Sequence, residues 1–159
     1  FYRGGSAFIM LSLDKHVKLT SVDPVKNDTS DIEGITDFSQ EEKAIDLMSR
    51  DFEERFTFIR KRSQDVRPDL EGQSFDMIFI DGDHWEDGIR NDFQLMLDLN
   101  IKYALVDDWV QPINGYKSVP TVWHEEFRDK LKVKAAFYRE GIFQGQPIPM
   151  ALVENMNLK

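Results

Sequence analysis

Two apolar stretches of this chain each run into acidic residues. Phe75-Asp76-Met77-Ile78-Phe79-Ile80 leads to Asp81-Gly82-Asp83-His84, and Tyr103-Ala104-Leu105-Val106 leads to Asp107-Asp108-Trp109. A helix-length segment lies between them, so the order reads strand, helix, strand, and in a parallel sheet both acidic ends fall on one carboxyl edge. Carboxylates gathered there repel one another unless a cation or shared protons neutralise them. Asp81, Asp107 and Asp108 are therefore candidate ligands for a hard divalent cation such as Mg²⁺, which takes oxygen donors and keeps positions for water or substrate oxygens. Asp83 and His84 are candidate proton acceptors, able to take a proton from a hydroxyl that a nearby cation has made more acidic. The same residues also suit plain strand termination and helix capping.

A second set of residues lies nearer the start. Gly4-Gly5-Ser6 precedes a helix-forming stretch and offers close backbone approach, amides at a helix start and a small hydroxyl, all useful to a nucleotide-like ligand. Asp23 ends the next strand and can accept hydrogen bonds from ribose hydroxyls. A glycine-rich turn and an Asp-Pro turn explain the same residues without a ligand. Trp85 and Trp109 flank the acidic clusters and could wall a substrate ring or simply pack.

The elements that must position these groups alternate. Ala7 to Leu13 reads as a buried apolar helix, Val17 to Val22 as a strand stopped by Asp23-Pro24, and residues 25–37 as a polar, turn-rich loop. Ser39 as N-cap with Glu42 three residues on opens a helix whose inner face is Ile45, Met48 and Phe52. Phe56 to Ile59 is a short strand with Ser63-Gln64-Asp65 at or just beyond its carboxyl end, and residues 75–80 form a strand whose length and lack of alternation suggest burial on both faces. Trp85 to Leu99 and Val119 to Leu131 read as helices on either side of the strand at 103–106. Val133 to Arg139 and Met150 to Val153 then form an antiparallel hairpin. The expected fold class is α/β, a Rossmann-like doubly wound, mostly parallel sheet with an antiparallel hairpin strand, and ligands bind such sheets beyond the carboxyl ends of the strands.

The chain as a whole narrows the partners. Its 159 residues suffice for a single domain with a real core. The formal net charge of −9 disfavours nucleic-acid phosphates and anionic membranes, which leaves a small molecule as the natural partner and is compatible with a homo-oligomer. Cysteine is absent, excluding disulfides and thiolate chemistry and fitting a cytoplasmic location. No apolar run reaches membrane-spanning length. The chain opens directly on its glycine turn, which reads as an N-terminal truncation.

With these residues assembled, the chain resembles the class I S-adenosylmethionine-dependent methyltransferases, in particular the metal-dependent O-methyltransferases. Phe1-Tyr2-Arg3-Gly4-Gly5-Ser6-Ala7 is similar to the later part of the first cofactor-binding motif, whose acidic residue and first glycine would precede Phe1 together with the first strand. Ser63-Gln64-Asp65 resembles the adenine-side segment of catechol O-methyltransferases. The stretch 75–83 is similar to both those enzymes and the sugar O-methyltransferases of macrolide and aminocoumarin pathways, and Asp107-Asp108 is closer to the latter. The resemblance implies cofactor contacts from Tyr2, Gly4, Gly5, Ser6, Asp23, Ser63, Gln64 and Asp81. It also implies metal ligation by Asp81, Asp107 and Asp108, with Asp83 or His84 as base. The implied reaction is methyl transfer from S-adenosylmethionine to a hydroxyl of a vicinal diol, on a sugar or a catechol-like ring, with Mg²⁺.

Two alternatives remain at this level. An apolar strand ending in Asp-x-Asp also serves nucleotide-sugar glycosyltransferases, although that leaves Asp107-Asp108 and the glycine turn without a role. A non-catalytic cofactor-binding relative is the other.

Overall fold

The computed structural model describes residues 4–25, 39–83, 85–109, 118–143 and 146–158. Its contacts divide the chain into two compact units, Phe1–Val66 and Arg67–Lys159.

In the first unit, helix α1 (Gly5–Leu13) starts after Gly4, whose φ of 70° lies in the left-handed region where a side chain is costly. Strand β1 (Leu19–Val22) pairs in parallel with β2 (Phe56–Ile59), in register from Leu19 opposite Phe56 to Val22 opposite Ile59. Between them α2 (Ser39–Phe52) carries Glu41 and Glu42 in its first turn, where negative charge suits the helix dipole. Ala7 and Leu11 of α1 share a core with Met48 of α2 and Phe56 of β2. The Arg55 guanidinium ties the unit together by donating to the carbonyls of Leu11, Asp14 and Val17 at 3.0, 3.1 and 3.3 Å, satisfying acceptors at and beyond the end of α1. The sequence predicts a buried α1. The structure buries only Ala7 and Leu11, and leaves Phe8, Ile9 and Leu13 exposed, because an all-round apolar helix here meets its unit along one stripe.

In the second unit a short helix α3 (Arg67–Leu70) precedes β3 (Met77–Ile80), α4 (Glu86–Asp98) and β4 (Tyr103–Val106). Helix α5 (Val119–Val122) runs into a π-helical turn, Trp123–Phe127, and strands β5 (Leu131–Phe143) and β6 (Gln146–Asn155) follow. The sheet order is β3-β4-β6-β5; β3 and β4 are parallel, and β6 runs antiparallel to both β4 and β5. Phe93 and Met96 of α4, Val106, Val122, Leu131 and Val153 form its core, all fully buried.

The expected alternation and the final antiparallel hairpin are present. Among the described residues, however, the parallel pairs fall into two sheets rather than one. The helix expected over 119–131 stops early: the Lys130 amide donates to the Phe127 carbonyl at 2.8 Å in a closing turn, and Leu131 already pairs with Asn155 in the sheet. The hairpin is correspondingly longer than its apolar residues suggest. No helix among the described residues is long and apolar enough to cross a membrane.

Candidate functional site

The acidic strand ends of the second unit are neighbours. Ile80 and Val106 face one another at the end of the β3–β4 register, and the Asp107 amide donates to the Ile80 carbonyl at 2.9 Å, carrying the parallel ladder one residue further. Asp81 and Asp107 thus leave the sheet on the same carboxyl edge, on strands that in a sheet lie about 4.8 Å apart.

Their surroundings differ. Asp107 is buried, and its Oδ1 accepts the Asp108 amide at 3.0 Å. That turn puts Asp108 at a φ of 49°, in the left-handed region that a short polar side chain tolerates better than most. Asp81, Gly82 and Asp83 are exposed. The Oδ1 of Asp83 accepts the Trp85 amide at 3.0 Å in an Asx turn that leads into α4. Asp83 therefore does serve as a turn residue, through one of its two oxygens. His84, the other candidate base, lies outside the described residues, as does Tyr2.

Helix α4 packs hard against this loop. A β-carbon built on Gly88 would stand 2.5 Å from Asp83 Cβ, and one built on Gly82 would stand 3.1 Å from Asp92 Oδ2. Asp92 itself is 7 % exposed, a buried carboxylate one helical turn beyond Gly88. Sequence reasoning missed it. The available signal was its place four residues after Gly88 and four before the buried Met96, a charged residue inside an apolar stripe.

The tryptophans divide. Trp85 is 59 % exposed beside the acidic loop. Trp109 packs on Trp123 with ring centroids 5.7 Å apart, and Trp123 donates its indole N–H to the Leu131 carbonyl at 2.8 Å, so this pair joins the core boundary. Trp123 too was not picked out as part of an aromatic pair from the sequence.

In the first unit the Asp23 amide donates to the Ile59 carbonyl at 3.1 Å, continuing the β1–β2 ladder, and Asp23 Oδ1 accepts the Val25 amide at 2.6 Å. The Asp-Pro turn is real, with Val25 at a φ of 63° closing it. The Arg60 pKa is raised above its ordinary value by its hydrogen bonds to Glu42 at 2.6 and 2.7 Å, with a smaller contribution from the negative charge of Asp23. Gly4 is buried at the start of α1, and a β-carbon on Gly5 would meet nothing within 4 Å, so the turn has open space beside it. Ser6 is exposed. Ser63 and Gln64 lie in the 3₁₀ turn Ser63–Asp65 beyond the end of β2, Ser63 half-buried and Gln64 exposed.

For a divalent cation, the oxygen donors Asp81, Asp107 and Asp108 fit in kind and in their shared edge. Among the described residues, no three acidic or histidine side chains stand close enough to form a metal-holding group as placed.

Residues 1–109 match a family model described as a methyltransferase domain. No curated protein matches the chain. Among solved structures, the O-methyltransferase TomG from Streptomyces achromogenes, involved in tomaymycin synthesis and in complex with SAM, matches with a TM-score of 0.66 at 20 % identity, over 96 % of this chain and 69 % of its own. Cofactor-bound Rv0187 from MTB matches with a TM-score of 0.59 at 15 % identity, over 87 % of this chain and 61 % of its own. A Corynebacterium glutamicum protein matches with a TM-score of 0.54 at 15 % identity, over 94 % and 66 % respectively. At these identities the likeness is one of fold, and the chain spans roughly two thirds of each neighbour's length.

Proposed function

The chain belongs to the methyltransferase-domain family, and we propose that it transfers the methyl group of S-adenosylmethionine to a hydroxyl oxygen of a small molecule. The observation that carries this reading is the pairing of β3 with β4 through Asp107 N–H and Ile80 C=O, which sets two acidic strand ends side by side. The complex of TomG with SAM supports the choice of methyl donor.

In this reading Gly4, Gly5 and Ser6, with Tyr2, receive the amino-acid end of the donor. Asp23 accepts hydrogen bonds from its ribose hydroxyls, and Ser63 and Gln64 meet its adenine; Asp81 is assigned to the donor by the family resemblance. Asp83 or His84 removes the acceptor's proton. The acceptor oxygen then bonds to the methyl carbon as the carbon–sulfur bond breaks, its electron pair passing to sulfur to leave S-adenosylhomocysteine. The chain's own contribution is alignment of the two reactants and the placing of negative charge. A divalent cation held by Asp81, Asp107 and Asp108, Mg²⁺ by preference, would lower the acceptor's pKa and favour a vicinal diol of a sugar or a catechol-like ring.

Titration calorimetry with S-adenosylhomocysteine tests the donor. The wild-type chain binds it, and Asp23→Ala weakens binding by about tenfold to 10²-fold, the loss of hydrogen bonds to a charged group. Binding of a nucleotide sugar with no binding of S-adenosylhomocysteine overturns the reading.

A further inference from the structure

We propose that Asp92 is a positioning residue that holds the Asp81–Gly82–Asp83 loop in its working geometry; this rests on the methyl-transfer reading above for its consequence in turnover, but not for the loop itself. A carboxylate taken out of water costs free energy unless groups around it compensate, so its presence in the packed stripe of α4 calls for a reason. Asp92 is 7 % exposed, while Phe93 and Met96 beside it on the same helix are fully buried. Its Oδ2 lies 3.1 Å from where a Gly82 β-carbon would be, so the carboxylate is set against the loop at a point where a larger residue would crowd it.

The second contact of α4 with the loop comes one turn earlier. Gly88 abuts Asp83, its notional β-carbon 2.9 Å from the Asp83 carbonyl oxygen as well as 2.5 Å from Asp83 Cβ. Gly88 and Asp92 are four residues apart and lie on one face of α4, so the helix grips consecutive loop residues at two points. Gly88, by its lack of a side chain, lets Asp83 approach the helix this closely. Asp92 sets a carboxylate oxygen beside Gly82. Upstream of both, Asp83 Oδ1 is held by the Trp85 amide, whose own carbonyl accepts the Ile89 amide at 3.0 Å in the first turn of α4. The orientation of the Asp83 carboxylate is thereby tied to the helix that carries Asp92.

The test compares Asp92→Asn, Gly82→Ala and the double variant in the full chain. Asn keeps the shape of Asp92 and removes its charge; Gly82→Ala places a methyl group 3.1 Å from Oδ2, which must give way by a few tenths of an ångström. Amide hydrogen exchange followed by NMR reads the loop without any substrate. The expected result is that each single variant exposes the Trp85 amide to exchange at least about tenfold faster while β3 and β4 keep their protection, and that the double variant loses no more than the worse single one. In methyl transfer the expected result is a fall in kcat of about tenfold to 10²-fold with KM for the acceptor within about twofold. Unchanged protection at Trp85, loss spread evenly over the second unit, or strictly additive effects overturn the proposal. If the wild-type chain methylates no acceptor, the functional reading fails, and the exchange result still decides the role of Asp92.

Discussion

Gly88 of α4 and Asp83 of the acidic loop are in such close contact that a β-carbon on Gly88 would stand 2.5 Å from Asp83 Cβ, 2.8 Å from its Cγ and 2.9 Å from its carbonyl oxygen. Two of the three atoms belong to the start of a short side chain and the third to the backbone, so the clash cannot be relieved by swinging a flexible tip. The helix start and the loop must move apart together.

Gly88→Ala should therefore destabilise the second unit by about 1–3 kcal/mol, the usual cost of overpacking a tight site. It should also cost activity out of proportion to that loss, because Asp83 is displaced. Urea denaturation and turnover on the same preparation check this, and a variant with wild-type stability would mean that the contact is looser than the geometry describes.

Asp108 offers a separation of backbone strain from charge. It sits at a φ of 49°, where Asn is accepted as readily as Asp. Asp108→Asn should keep the thermal midpoint of the wild type while turnover at subsaturating Mg²⁺ falls by about tenfold or more, the effect of losing one carboxylate from a hard-cation site. Equal turnover at every Mg²⁺ concentration would remove Asp108 from that site.

Much of this arrangement is legible in the sequence. Apolar runs ending in Asp81 and Asp107 specify parallel strands with acidic carboxyl ends, and the β3–β4 register bears that placement out. The burial expected on both faces of the first is not found: β3 is only Met77–Ile80, with Met77 50 % exposed and Ile78 and Phe79 half-buried. What escaped has physical reasons. Asp92 is hidden in an amphipathic helix, where a polar residue reads as part of the solvent face until packing reveals which stripe it is on. The early end of the helix after Phe127 depends on Leu131 pairing with Asn155, a contact 24 residues away that no local pattern contains. The parallel pairs β1–β2 and β3–β4 have similar composition, so nothing local says that they join separate sheets among the described residues.

The metal requirement is decided by chelation together with one variant. Treatment with EDTA should suppress turnover and added Mg²⁺ restore it, whereas Asp107→Ala should suppress turnover irreversibly while S-adenosylhomocysteine binding stays within about twofold. Full activity in EDTA would remove the cation from the mechanism and leave Asp107 as a buried turn residue, its Oδ1 accepting the Asp108 amide at 3.0 Å.

The central claim is methyl transfer to oxygen, and the most direct measurement is mass spectrometry of a panel of vicinal diols, sugar and catechol-like, incubated with the chain, methyl-labelled S-adenosylmethionine and Mg²⁺. The expected result is at least one acceptor carrying a single labelled methyl group on oxygen, formed in equal amount with S-adenosylhomocysteine and lost in the Asp83→Asn, His84→Ala double variant. Formation of neither product by the wild-type chain, while S-adenosylhomocysteine still binds, would contradict it.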